Sequence, residues 1–146
     1  MPLLEIVAYS YASALAAQQG GADRIELCEN TAEGGTTPGL GTIEAARELP
    51  GVKLHVMIRP RGGDFLYTDA EFKIMLRDIA VAREAGADGV VFGLLRPDAT
   101  VDLERTSQRC LDRQQTDGCR GVETRTDGDC RHRRPRERTR RRHTAL

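Results

Sequence analysis

Apolar positions along the chain change period several times, and each change marks an element. Leu3–Tyr9 is a short apolar run of strand length. The Ala- and Gln-rich stretch Ser10–Gly20 follows, with Ser10 placed to cap a helix and Gly20-Gly21 to stop it. Arg24–Glu29 predicts a second strand, a glycine-rich loop leads to a helix near Gly41–Leu49, and Leu54–Arg61 predicts a third strand. Phe72, Met75, Leu76, Ile79, Ala82 and Arg83 recur at helical spacing, so Asp69–Gly86 predicts a long helix that Asp69 can cap. Gly89–Leu95 predicts a fourth strand, and Val101–Arg105 opens another helix.

Strands alternating with helices specify parallel pairing through right-handed crossovers, which makes this an α/β chain. The segment at 20–27, GGADRIEL, parallels AGADGVVF at 85–92, each a helix stop feeding a strand. A recurring βα unit suits a (β/α)8 barrel better than a doubly wound sheet, and no G-x-G-x-x-G follows the first strand. Four such units make half a barrel, whereas a complete one takes about 250 residues. The expected organisation is therefore an incomplete TIM-type barrel over 1–105, followed by a separate tail over 106–146.

Charge sharpens that boundary. The chain of 146 residues has a formal net charge of zero, but residues 1–105 carry 10 basic against 16 acidic groups. Residues 106–146 carry 12 arginines, no lysine and 6 acids. Few aliphatic residues accompany them, so the tail is expected to be disordered. Its Lys-free, Arg-dominated composition suits out-of-frame translation of GC-rich DNA, so a disrupted reading frame is the expectation for this segment. The run from Arg131 to His143 has no aromatic residue for base stacking, which argues against a nucleic-acid arm. No signal peptide or stretch of about 20 apolar residues is present, so a cytoplasmic protein without membrane contact is expected. Cys28, Cys110, Cys119 and Cys130 form no C-x-x-C pair and are expected to be reduced thiols.

Side chains alternate along each strand, which sorts the chemistry onto one face. Leu4, Ile6 and Ala8, then Ile25 and Leu27, then Leu54, Val56 and Ile58 form aliphatic faces suited to packing under helices. Opposite them stand Glu5, Glu26, Cys28, His55, Met57, Arg59 and Arg61, charged groups where a barrel interior is ordinarily aliphatic. A structural ion-pair network of Glu5 and Glu26 with Arg59 and Arg61 is one explanation. A polar ligand site at the C-terminal strand ends is the other. There, Arg59 and Arg61 beside Gly62 and Gly63 would clamp a small anionic ligand, with Glu26 as acid or base and Asp64 as a competing helix cap. Cys28 and Met57 are soft donors of the kind that prefer Cu(I), and a dimer would bring two copies of Cys28 together.

The stretches LEI-x-x-YS, GADRIELC, EGG-x-TPG-x-G, IRPRGGDF-x-Y-x-D-x-E and GADGVV-x-G resemble the opening half of the CutC family over residues 2–105. The resemblance implies a cytoplasmic TIM-type barrel linked to copper homeostasis, with Cu(I) bound through the cysteine that Cys28 matches. It stops after Arg105, where the family's Phe-His-Arg run has no counterpart. Two further outcomes stay open: an enzyme acting on a small anionic metabolite, and a nonfunctional truncated fragment.

Overall fold

The computed structural model describes residues 2–111, and the arginine-rich tail expected to be disordered lies outside them. Four parallel strands, β1 (Glu5–Ala8), β2 (Arg24–Leu27), β3 (Lys53–Met57) and β4 (Gly89–Val91), pair in sequence order. Helices α1 (Tyr11–Gln19), α2 (Leu40–Arg47) and α3 (Asp69–Glu84) make the three crossovers, and α4 (Leu103–Leu111) follows β4. Every predicted element is present, with the strands shorter than their apolar runs and α4 continuing past Arg105.

The caps explain the helix boundaries. The Ser10 hydroxyl accepts from the Ser13 amide at 3.2 Å, and Ser13 Oγ accepts from the Ser10 amide at 3.0 Å. For α3 the expected cap is corrected by one residue. Thr68, not Asp69 or Asp64, accepts from the Glu71 amide, and Glu71 reciprocates by accepting from the Thr68 amide at 2.7 Å. Threonine followed three residues later by glutamate is a capping box, and it places Asp69 in the first turn. Asp69 there pairs with Arg105 of α4.

The aliphatic strand faces pack as their alternation predicts. Ile25, Leu27, Leu54, Val56 and Ile58 are fully buried in one cluster with Ala14 of α1, Ile43 and Ala46 of α2, and Met75 of α3. Burying each such branched side chain contributes about 1.5–3 kcal/mol. β1 is the exception: Ile6 is 36% exposed and Leu4 48%, because β1 is one edge of the described sheet. The polar residues are left on the opposite face of the sheet.

Candidate functional site

That opposite face lines a concavity of about 410 Å³ bounded by Glu5, Arg24, Glu26, His55, Met57 and Phe65, together with β4 and the residues after it. Glu26 and His55 are cross-strand register partners, each 8% exposed. Two ionisable side chains are thus held side by side with little access to water. His55 needs an adjacent glycine: a Cβ at Gly89, its register partner on β4, would stand 2.8 Å from the imidazole Nε2. Glu5 pairs with Arg24, its own register partner.

This last pairing corrects the expected ion network. Glu5 is held by Arg24, while the two later arginines serve the loops. Arg59 is buried, and its guanidinium donates to the carbonyls of Glu33 (2.5 Å), Gly35 (2.8 Å) and Gly63 (2.7 Å). It also stacks 4.8 Å from the centroid of Phe65. The Thr37 amide donates to Arg59 O, and the Arg59 amide donates to Thr37 Oγ1, which completes the junction between the loops after β2 and β3. Arg61 donates to Glu71 Oε1 at 2.5 Å and to Asp64 Oδ1 at 3.0 Å. Glu71 is held below the usual carboxylate range, the Thr68 amide contributing most and Arg61 next. Gly62 is covered by the chain's own Glu33, whose carboxylate lies where a Cβ would be. Arg59 therefore binds loop carbonyls, Arg61 binds local carboxylates and loop carbonyls, and Gly62 already faces an acid of this chain.

Cys28 stands one residue beyond β2 and is 1% exposed. Leu27 is in register with Val56, and Cys28 and Met57 are the residues that follow this last pair, Met57 lining the concavity. Burial, and then the Glu26 carboxylate, push the Cys28 thiol up to about 12. Gly35 closes over the sulfur: its φ is +107°, and a Cβ there would stand 3.2 Å from Sγ. Among the described residues, no group of three or more His, Cys, Asp or Glu side chains is gathered as a metal site. Periodicity had no means of showing the Arg59 loop tie, which joins segments distant in sequence, or the Gly89 cradle for His55.

A parallel α/β sheet with its helices on one face and acids and a histidine on the other is the kind of wall from which TIM-like barrels are built. The CutC family model matches residues 2–116, and the chain belongs to that family. A family protein CutC of Chromobacterium violaceum is 56% identical over 106 residues, 73% of this chain and 43% of the relative. One from Bacteroides thetaiotaomicron is 58% identical over 100 residues, 68% of this chain and 40% of the relative. The solved structure of a copper homeostasis protein CutC from Streptococcus agalactiae superposes with a TM-score of 0.71 at 39% identity, covering 78% of this chain and 56% of that one. The chain thus spans less than half the length of the two curated relatives and a little over half of the solved chain. Among the described residues, no helix is long and apolar enough to cross a membrane.

Proposed function

We propose that this protein serves copper homeostasis in the cytoplasm and takes up Cu(I) through Cys28, with Met57 as the second soft donor. What supports the reading is the register: Cys28 follows Leu27 and Met57 follows Val56, the last paired residues of β2 and β3. Thiolate and thioether sulfur select Cu(I) over the harder divalent ions. The raised thiol sets the condition for binding, because the metal must displace a proton that burial and Glu26 hold in place. Arg59 and Gly35 govern access to the sulfur by holding the loop after β2 against it. Anaerobic Cu(I) titration of the wild type and Cys28→Ala tests this. Loss of bound copper in the variant supports the assignment, and equal stoichiometry removes Cys28 from it.

A second reading rests on a different observation, the buried Glu26 and His55 side by side in the same concavity. They would serve an enzyme acting on a small polar metabolite, with Glu26 as acid or base. The two expected clamp residues, Arg59 and Arg61, lend this little support, since their guanidinium groups hold the loops. Thermal-shift screening of small carboxylates and phosphates, with Glu26→Gln as control, separates this reading from the copper one.

A further inference from the structure

The Cys28 sulfur is covered by a small lobe of main chain. The Glu29 and Thr36 amides donate to each other's carbonyls at 3.0 and 2.8 Å, which pinches residues 30–35 into a closed loop. Within it the Glu33 and Gly35 amides both donate to Asn30 O at 3.2 Å, and the Gly34 amide donates to Thr31 O at 3.1 Å. These bonds make the lobe one unit. Residues 30–34 are exposed, and no residue from 29 to 37 joins the buried apolar cluster. Segments with so few apolar contacts open locally at low cost. The stem is better fixed, because Thr37 exchanges two hydrogen bonds of 2.9 Å with the main chain of Arg59.

The Arg59 guanidinium closes the lobe through Glu33 O and Gly35 O, and the Glu33 carboxylate lies against Gly62. The same guanidinium also serves the wall of the concavity. It donates to Gly63 O at 2.7 Å and lies 4.8 Å from the centroid of Phe65, whose ring is 37% exposed and lines that concavity. The ring rests where Gly93 leaves space, since a Cβ there would meet Phe65 Cδ1 at 3.1 Å. Gly93 lacks a positive φ, so glycine is needed at this position for the ring and not for the backbone. The Leu95 amide donates to Phe65 O at 3.0 Å, which ties down the backbone and leaves the ring as the movable part.

We propose that Arg59 couples the concavity to the thiol. A ligand that displaces the Phe65 ring takes its face away from the guanidinium, and the attraction between cation and ring that helps to position the fork is lost. Arg59 then loosens its hold on the Glu33 and Gly35 carbonyls, and the lobe lifts from Cys28. Access to the sulfur thus depends on what the concavity holds. By linkage, opening the lobe changes the affinity of the concavity for the same ligand by the same factor. The coupling rests on the copper reading only in taking Cys28 as the functional thiol.

The rate at which a water-soluble disulfide reagent labels Cys28 under native conditions reads lobe opening. The 146-residue chain is used with Cys110, Cys119 and Cys130 replaced by Ser. Gly93→Val stands in for a ligand by pressing on the ring, and should speed labelling about fivefold or more. Phe65→Ala, which removes the ring from Arg59, should speed it about threefold or more by itself. With the ring gone, adding Gly93→Val should change the rate by less than about twofold. Denaturant titration of each variant gives the increase that global unfolding alone would cause, and these factors are what remains after it. No effect of Gly93→Val in a natively folded protein overturns the coupling, as does an equal factor with and without the ring. If Gly93→Val loses its native circular dichroism, Phe65→Ala decides alone, and an unchanged rate there overturns the coupling. Failure of the copper reading shows separately, as a Cu(I) titration unaffected by Cys28→Ala, and leaves the labelling rates as they are.

Discussion

Gly35 lies against the sulfur of Cys28, close enough that a Cβ on it would meet Sγ at 3.2 Å. A side chain here is doubly disfavoured, by the contact and by a φ of +107°. Gly35→Ala is expected to destabilise the fold by about 1–3 kcal/mol, since residues forced into such regions cost about that much. Denaturant titration gives the stability. Thiol labelling of Cys28 under native conditions should speed up in the same variant as the loop lifts away.

Arg59 holds that loop from the other side. Arg59→Ala removes the donor to three main-chain carbonyls at once. Leaving the buried Gly35 acceptor unsatisfied costs about 1–3 kcal/mol, and the part-buried acceptors of Glu33 and Gly63 cost less because water reaches them. A net loss of about 2–4 kcal/mol is therefore expected for Arg59→Ala by chemical denaturation. Arg59→Lys should recover only part of it, because a single ammonium cannot reproduce the guanidinium fork.

Thr68→Ala should cost about 1 kcal/mol by removing the α3 cap. The same box gives a pH signature. Glu71 is held below its ordinary value of 4.5 by the Thr68 amide and then Arg61. Its folded-state value is depressed, so its contribution is complete above about pH 4.5 and is lost as pH falls below that range. Acid titration of stability should be shallower in Glu71→Gln than in the wild type.

Cys28 titrates in the opposite sense. Its thiol is raised from 9.0 to about 12, so its burial favours the native state fully below pH 9. That advantage is lost as pH rises from 9 towards 12, and Cys28→Ala should remove this alkaline step. Cu(I) affinity, measured against a chelator whose own protonation is corrected for, should rise about tenfold per pH unit between 6 and 9, because one proton leaves as the metal enters.

Much of this architecture is legible in the sequence because the relevant signals are local. Alternation puts Leu54, Val56 and Ile58 under the helices and His55 and Met57 opposite, as observed. Glycines 20, 21 and 86 stop the helices near where the pattern does. Charge type alone does not disclose partners, however. Glu5 is held by Arg24, the residue beside it in register, and not by the strand-end arginines, whose partners are loop carbonyls and local acids. The α3 cap lies one residue away from its strongest acidic candidate, because the reciprocal Thr68–Glu71 bonds outweigh a lone Asp69.

The most direct measurement of the copper assignment is X-ray absorption at the copper edge of Cu(I)-loaded protein prepared without oxygen. The account predicts sulfur scatterers from both Cys28 and Met57, with one lost in Met57→Leu and the site abolished in Cys28→Ser. A copper environment of nitrogen and oxygen alone, unchanged by either substitution, would contradict it.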